Sequence, residues 1–136
     1  MGAVLIVDDE PALPRALALS LRVRTRPDPY RVHKSDSMEG VEEVLRSEPV
    51  DVVLTDYRLG SFNGGDVLRL AKSCQPRARR LIYTGFPGDI PLESLGALEL
   101  FRPPLTKDDM DDLVEVVLEA VAATDWQEHP RDATSS

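Results

Sequence analysis

Ala3-Val-Leu-Ile-Val-Asp-Asp9 is a run of five apolar residues stopped by two aspartates, and the pattern returns along the chain. Asp51-Val-Val-Leu-Thr55 is stopped by Asp56, Arg80-Leu-Ile-Tyr83 by Thr84-Gly85, and Ala97-Leu-Glu-Leu-Phe101 by Arg102-Pro103-Pro104. Tyr30-Arg-Val-His33 is a weaker, alternating candidate between the first two. Short apolar runs with little alternation suit strands covered on both faces, as in a parallel sheet.

Segments of helical period separate them. Leu13, Leu17 and Leu21 form one stripe, with Pro11 and Pro14 confining the helix start to their neighbourhood. Met38, Val41, Val44 and Leu45 form a second, and Val67, Leu68 and Ala71 a third. Met110, Leu113, Val114, Val117, Leu118 and Val121 form the clearest, packing on the sheet. The stretch 87–96, with two prolines and two glycines, has room for about one short helix. Alternating β and α segments predict a doubly wound α/β fold: a five-stranded parallel sheet with helices on both faces. The domain is expected over residues 1–123, with 124–136 as a polar, frayed tail onto which Trp126 has the option of folding back.

Composition narrows the function. The 136 residues carry 16 Lys+Arg against 24 Asp+Glu, a net charge of -8, which disfavours general nucleic-acid binding. A 42% hydrophobic content suffices for a core. The single Cys74 forms no internal disulfide and no thiolate metal cage, and reads as a small, partly buried apolar residue. No apolar run approaches the roughly 20 residues that cross a bilayer, and Met1 to Glu10 shows no signal-peptide pattern. The expectation is a small cytoplasmic domain that contacts neither membrane nor nucleic acid.

In an open parallel sheet, ligands bind in the crevice at the carboxyl ends of the strands. The residues just past the runs are Asp8, Asp9, Asp56, Thr84 and Arg102. Three neighbouring carboxylates repel one another, and a hard divalent cation removes the conflict. Oxygen ligands without His or Cys favour Mg²⁺, with Mn²⁺ as a substitute. A carboxylate is also a nucleophile toward phosphorus, and a hydroxyl (Thr84) with a cation (Arg102) would receive the phosphoryl oxygens.

The strings Val4-Leu-Ile-Val-Asp-Asp-Glu-Pro11, Asp51-Val-Val-Leu-Thr-Asp-Tyr-Arg-Leu59 with Asn63-Gly64, and Tyr83-Thr-Gly85 resemble the receiver domain of bacterial two-component response regulators. The resemblance covers about residues 3–123 and implies a (βα)5 flavodoxin-like fold. It implies phosphoryl transfer from a histidine kinase or histidine phosphotransfer protein onto Asp56. By the same resemblance Asp9 binds Mg²⁺ directly, Asp8 mostly through water, and the backbone carbonyl of Arg58 completes the protein ligands. Thr84 matches the switch hydroxyl, and the 84–123 face would present different surfaces to an unidentified downstream protein.

Departures from the family pattern stand out, in the cation and in the signalling face. Its lysine after the last strand matches Arg102, which keeps the charge but not the shape of an ammonium. Thr84 to Arg102 spans only 18 positions, fewer than the family uses, so the fourth helix is expected to be short or distorted. The aromatic residue that many members carry three positions before the lysine falls on Glu99. These departures motivate an alternative, a phosphorylation-independent binding module of the same fold. A phosphatase with an aspartyl-phosphate intermediate is disfavoured, because position 58 is arginine where a general acid is needed. No separate substrate turnover is expected. His33 and His129 read as surface residues, and the Arg22, Arg24, Arg26, Arg31 and Lys34 cluster as a solvated face.

Overall fold

The computed structural model describes residues 2–86, 88 and 90–134, with side chains 92, 94, 95 and 124–134 left aside. Five strands and five helices alternate among the described residues: β1 (Ala3–Val7), α1 (Ala12–Arg24), β2 (Arg31–Ser35), α2 (Met38–Ser47), β3 (Val52–Asp56), α3 (Gly64–Cys74), β4 (Arg79–Thr84), α4 (Leu92–Leu98), β5 (Leu105–Thr106) and α5 (Met110–Thr134). All strand pairs are parallel, in the order β2-β1-β3-β4-β5. The doubly wound α/β expectation holds. Strand order reverses between β1 and β3, so the crevice opens where Asp8 follows β1 and Asp56 ends β3.

β1 is buried throughout, as is β3, because helices cover both faces of the sheet. One core gathers Val4, Ile6, Leu54, Leu81 and Tyr83 beneath Leu17 and Leu21 of α1 and Leu113, Val117 and Val121 of α5. The opposite core sets Leu5, Val53 and Ile82 against Val41 and Leu45 of α2, Val67, Leu68 and Ala71 of α3, and Leu98 of α4.

Helix starts follow local chemistry. Ser37 Oγ accepts the Gly40 N–H at 3.1 Å and caps α2. Asn63 and Asp66 form a reciprocal capping box at the start of α3. Gly64 permits close approach: a Cβ there would lie 2.7 Å from the Asp56 carbonyl oxygen and 3.0 Å from Tyr57 Cα. The Gly64 N–H donates to the Tyr57 carbonyl at 2.8 Å, drawing α3 against the end of β3.

The fourth apolar run is misassigned by sequence. Ala97-Leu98 closes α4, Glu99 turns the chain in the left-handed region at φ 52, and Phe101 donates its N–H to the Arg80 carbonyl at 2.9 Å. Pro103 and Pro104 have no N–H for a ladder, and pairing begins only at Leu105, opposite Tyr83. The last strand is therefore β5 at Leu105–Thr106, and the residue that follows it is Lys107.

A buried arginine secures this region. Arg80, 6% exposed, donates from Nε to the Leu98 carbonyl at 2.9 Å and from Nη1 to the Pro76 and Ala78 carbonyls, both at 3.1 Å. Its Nη2 reaches the Glu99 carbonyl at 3.4 Å, so one guanidinium satisfies the carbonyls that end α4. Burial lowers the Arg80 pKa from its ordinary value, partly opposed by Glu99.

α5 continues to Thr134, so the backbone of the expected tail is helical to that point; Ser135 and Ser136 lie outside the described residues. The expectations for the Trp126 and His129 side chains fall outside the described set as well. Cys74 is half-buried. His33, read as a surface residue, lies 2.8 Å from Glu48 through Nε2. In the arginine cluster Arg24 pairs with Glu115 and Arg31 with Glu48. No described helix is long and apolar enough to cross a membrane.

Candidate phosphoryl and metal site

β1 and β3 deliver Asp8 and Asp56 side by side, and the turn after β1 adds Asp9. One carboxylate oxygen from each lies within 4.8 Å of the others. Asp8 and Asp56 are each 4% exposed, whereas Asp9 faces solvent. Lys107, carried in by β5, donates from Nζ to Asp56 Oδ2 at 2.8 Å and lies 3.4 Å from Asp8 Oδ2. The Arg58 N–H approaches Asp56 Oδ1 at 3.3 Å, and Arg58 bridges to Asn63 across the loop. Thr84 ends β4 next to the acidic residues, is 1% exposed, and its carbonyl receives the Lys107 N–H at 3.1 Å. An open cleft of about 290 Å³ adjoins Asp8 and Asp9, with Arg15 and Lys34 on its walls.

The electrostatics follow from burial and neighbours. Burial pushes the Asp56 carboxyl above the ordinary carboxylate value; Lys107 opposes the shift and Asp8 adds to it. For Lys107 burial acts against the ammonium, but the hydrogen bond to Asp56 and the charges of Asp8 and Asp56 outweigh it, so its pKa is raised. Burial first, then the hydrogen bond to Asp8, drives the Tyr83 phenol well above its usual value, so it remains a donor. Three carboxylates and one ammonium leave the site two negative charges in excess, the complement of one divalent cation. The donor set is all oxygen, which fits Mg²⁺.

Three of the five crevice residues expected from sequence come together, Asp8, Asp9 and Asp56, and Thr84 ends the strand next to Asp56. Arg102 does not join them. Its Nη2 contacts Glu119 at 2.8 and 3.3 Å, and its guanidinium lies over the Phe101 ring, 4.4 Å from the centroid. Because β5 starts after the two prolines, Arg102 stays outside the crevice and Lys107 takes the cationic position. The short Thr84–Arg102 interval was the legible warning, since Thr84 to Lys107 spans 23 positions. Three positions before Lys107 stands Pro104 rather than Glu99, and it too is not aromatic.

The family model for the response regulator receiver domain matches residues 4–118. The chain belongs to that family. The transcriptional regulatory protein GlrR of Escherichia coli is 29% identical to this receiver domain over 92% of the chain. KdpE of Mycobacterium tuberculosis is 38% identical over 50%. The receiver domain spans 29% of the first protein and 28% of the second, well under a third of either.

Solved structures agree in fold. A CheY-like receiver domain from Methanospirillum hungatei superposes with a TM-score of 0.78 at 21% identity, covering 93% of this chain and 98% of that one. TrrA from Thermotoga maritima, solved in complex with Mg²⁺-BeF, gives 0.70 at 22% identity, covering 88% and 99%.

Proposed function

We propose that this receiver domain accepts a phosphoryl group on Asp56 from a histidine kinase or a histidine phosphotransfer protein and thereby switches a protein-binding surface formed by residues 84–123. The observation that carries the reading is the Asp56 carboxylate at the switch point, held by Lys107 at 2.8 Å beside Asp8 and Asp9.

An Asp56 oxygen attacks phosphorus, the new P–O bond replaces the P–N bond of a phosphohistidine, and the departing electron pair returns to the imidazole, which takes up a proton. Lys107 supports the phosphoryl oxygens with a fixed positive charge, and the Thr84 hydroxyl is the neighbouring donor on β4. Asp8, Asp9, Asp56 and the Arg58 carbonyl are the groups that would hold Mg²⁺, or Mn²⁺ in its place. The ion would neutralise charge on the transferring group. The partly buried setting of Asp56 limits water near the acyl phosphate.

The chain turns over no separate substrate on this reading and works in the cytoplasm, with residues 1–123 as the receiver unit and 124–136 as an appendage. Its partners are proteins, with no direct contact to nucleic acid or membrane. The same fold used without phosphate was motivated by Arg102 and by a short fourth-helix region. Lys107 removes the first motive, although α4 is still only seven residues long. Incubation with acetyl phosphate and Mg²⁺, followed by intact mass measurement, is expected to show one added phosphoryl group that is absent from Asp56→Asn. A wild-type chain that gains nothing overturns the proposal.

A further inference from the structure

Tyr83 has no part in the scheme above, yet it touches the site from beneath. It is the largest fully buried side chain among the described residues and sits in the core between the sheet and α1/α5. Its hydroxyl emerges at the crevice floor and donates to Asp8 Oδ2 at 2.7 Å. The Glu10 N–H donates to the other oxygen, Asp8 Oδ1, at 3.0 Å. Lys107 Nζ lies 3.4 Å from Oδ2 and 5.3 Å from the centroid of the Tyr83 ring.

A carboxylate has about four acceptor positions, two on each oxygen. Tyr83 takes one on Oδ2, where Lys107 is also an ion-pair partner at 3.4 Å, and Glu10 takes one of the two on Oδ1. Asp8 is thereby fixed in orientation, with both of its oxygens already engaged by described residues. Large divalent ions such as Ca²⁺ collect many ligands and often take both oxygens of a carboxylate, whereas Mg²⁺ keeps its waters and accepts single-point contacts.

We propose that Tyr83 is a positioning and specificity-determining residue that holds Asp8 in a single-point geometry and so biases the acidic cluster toward a small, hydrated divalent ion over a large one. This rests on reading the cluster as a divalent-ion site. Calorimetric titration of the full chain with Mg²⁺ and, separately, Ca²⁺ tests it in the wild type, in Tyr83→Phe and in a control, Tyr30→Phe. The ratio of Ca²⁺ to Mg²⁺ dissociation constants is expected to fall by roughly tenfold in Tyr83→Phe, the order set by releasing one charge-assisted hydrogen bond, and to stay put in the control.

In the wild type, saturation with Mg²⁺ is expected to perturb the near-ultraviolet absorbance of tyrosine, and this signal should vanish in Tyr83→Phe. An unchanged ratio overturns the role of Tyr83 while leaving the metal site intact, as does a wild type that binds Mg²⁺ with no tyrosine perturbation. A wild type that binds neither ion overturns the metal site itself and the role of Tyr83 with it.

Discussion

Lys107 and Arg102 are the two cations that close this region, and their surroundings assign them different work. Lys107 spans Asp56 and Asp8 in a partly buried pocket, where a fixed ammonium interacts strongly with developing phosphoryl charge. Arg102 makes a surface pair with Glu119, and exposed pairs contribute about 0–1 kcal/mol. Lys107→Met is therefore expected to slow phosphoryl uptake from acetyl phosphate on the order of a hundredfold. Arg102→Ala should leave the rate within about twofold and cost at most ~1 kcal/mol of stability. Time-resolved intact mass measurement and denaturant titration check both. Equal loss in the two variants would return Arg102 to the site.

At the level of elements, the junction between β3 and α3 is the tightest constraint on Asp56. A methyl group at Gly64 would press on the Asp56 carbonyl, and backbone gives way less readily than a flexible side chain. Gly64→Ala is expected to destabilise the fold by about 1–3 kcal/mol and to lower phosphoryl uptake, read by denaturation and mass. Gly85→Ala, with nothing within 4 Å of its Cβ position, is the control.

The elements also differ in how plainly sequence announces them. β1 and β3 were legible because parallel strands at the centre of a sheet are apolar without interruption and end in acidic residues. α5 was legible from its stripe. β5 was not: two half-buried residues carry no periodic signal, and the stronger apolar run before it belongs to the end of α4 and to Phe101 packing on the core. The site inherited the error, since Lys107 depends on where β5 begins. Tyr83 had one signal, a phenol inside an apolar run, which needs a polar partner when buried.

For the whole molecule, Asp56 links the site to stability. Its carboxyl is raised by burial, so the folded state binds this proton more tightly than the unfolded chain does. The stabilisation from the protonated form is full below the unfolded-state value of 3.8 and is lost as pH rises through the folded value. At neutral pH the charged Asp56 is thus a cost that Asp56→Asn removes. The variant should melt above the wild type without metal, and the gap should close below 3.8. Thermal denaturation across that range checks it; a variant that melts lower at neutral pH would contradict the sign.

β4 joins the two ends of the fold in a further way. Arg80 near its start grips the carbonyls that finish α4, while Thr84 at its end is buried and accepts the Phe86 N–H on Oγ1 at 3.2 Å. A strand is stiff along its length, about 3.3 Å for each residue. Just past that strand, Gly85 has open space around its Cβ position and Phe86 faces outward, so the chain beyond Thr84 has room that the end of α4, held by Arg80, lacks.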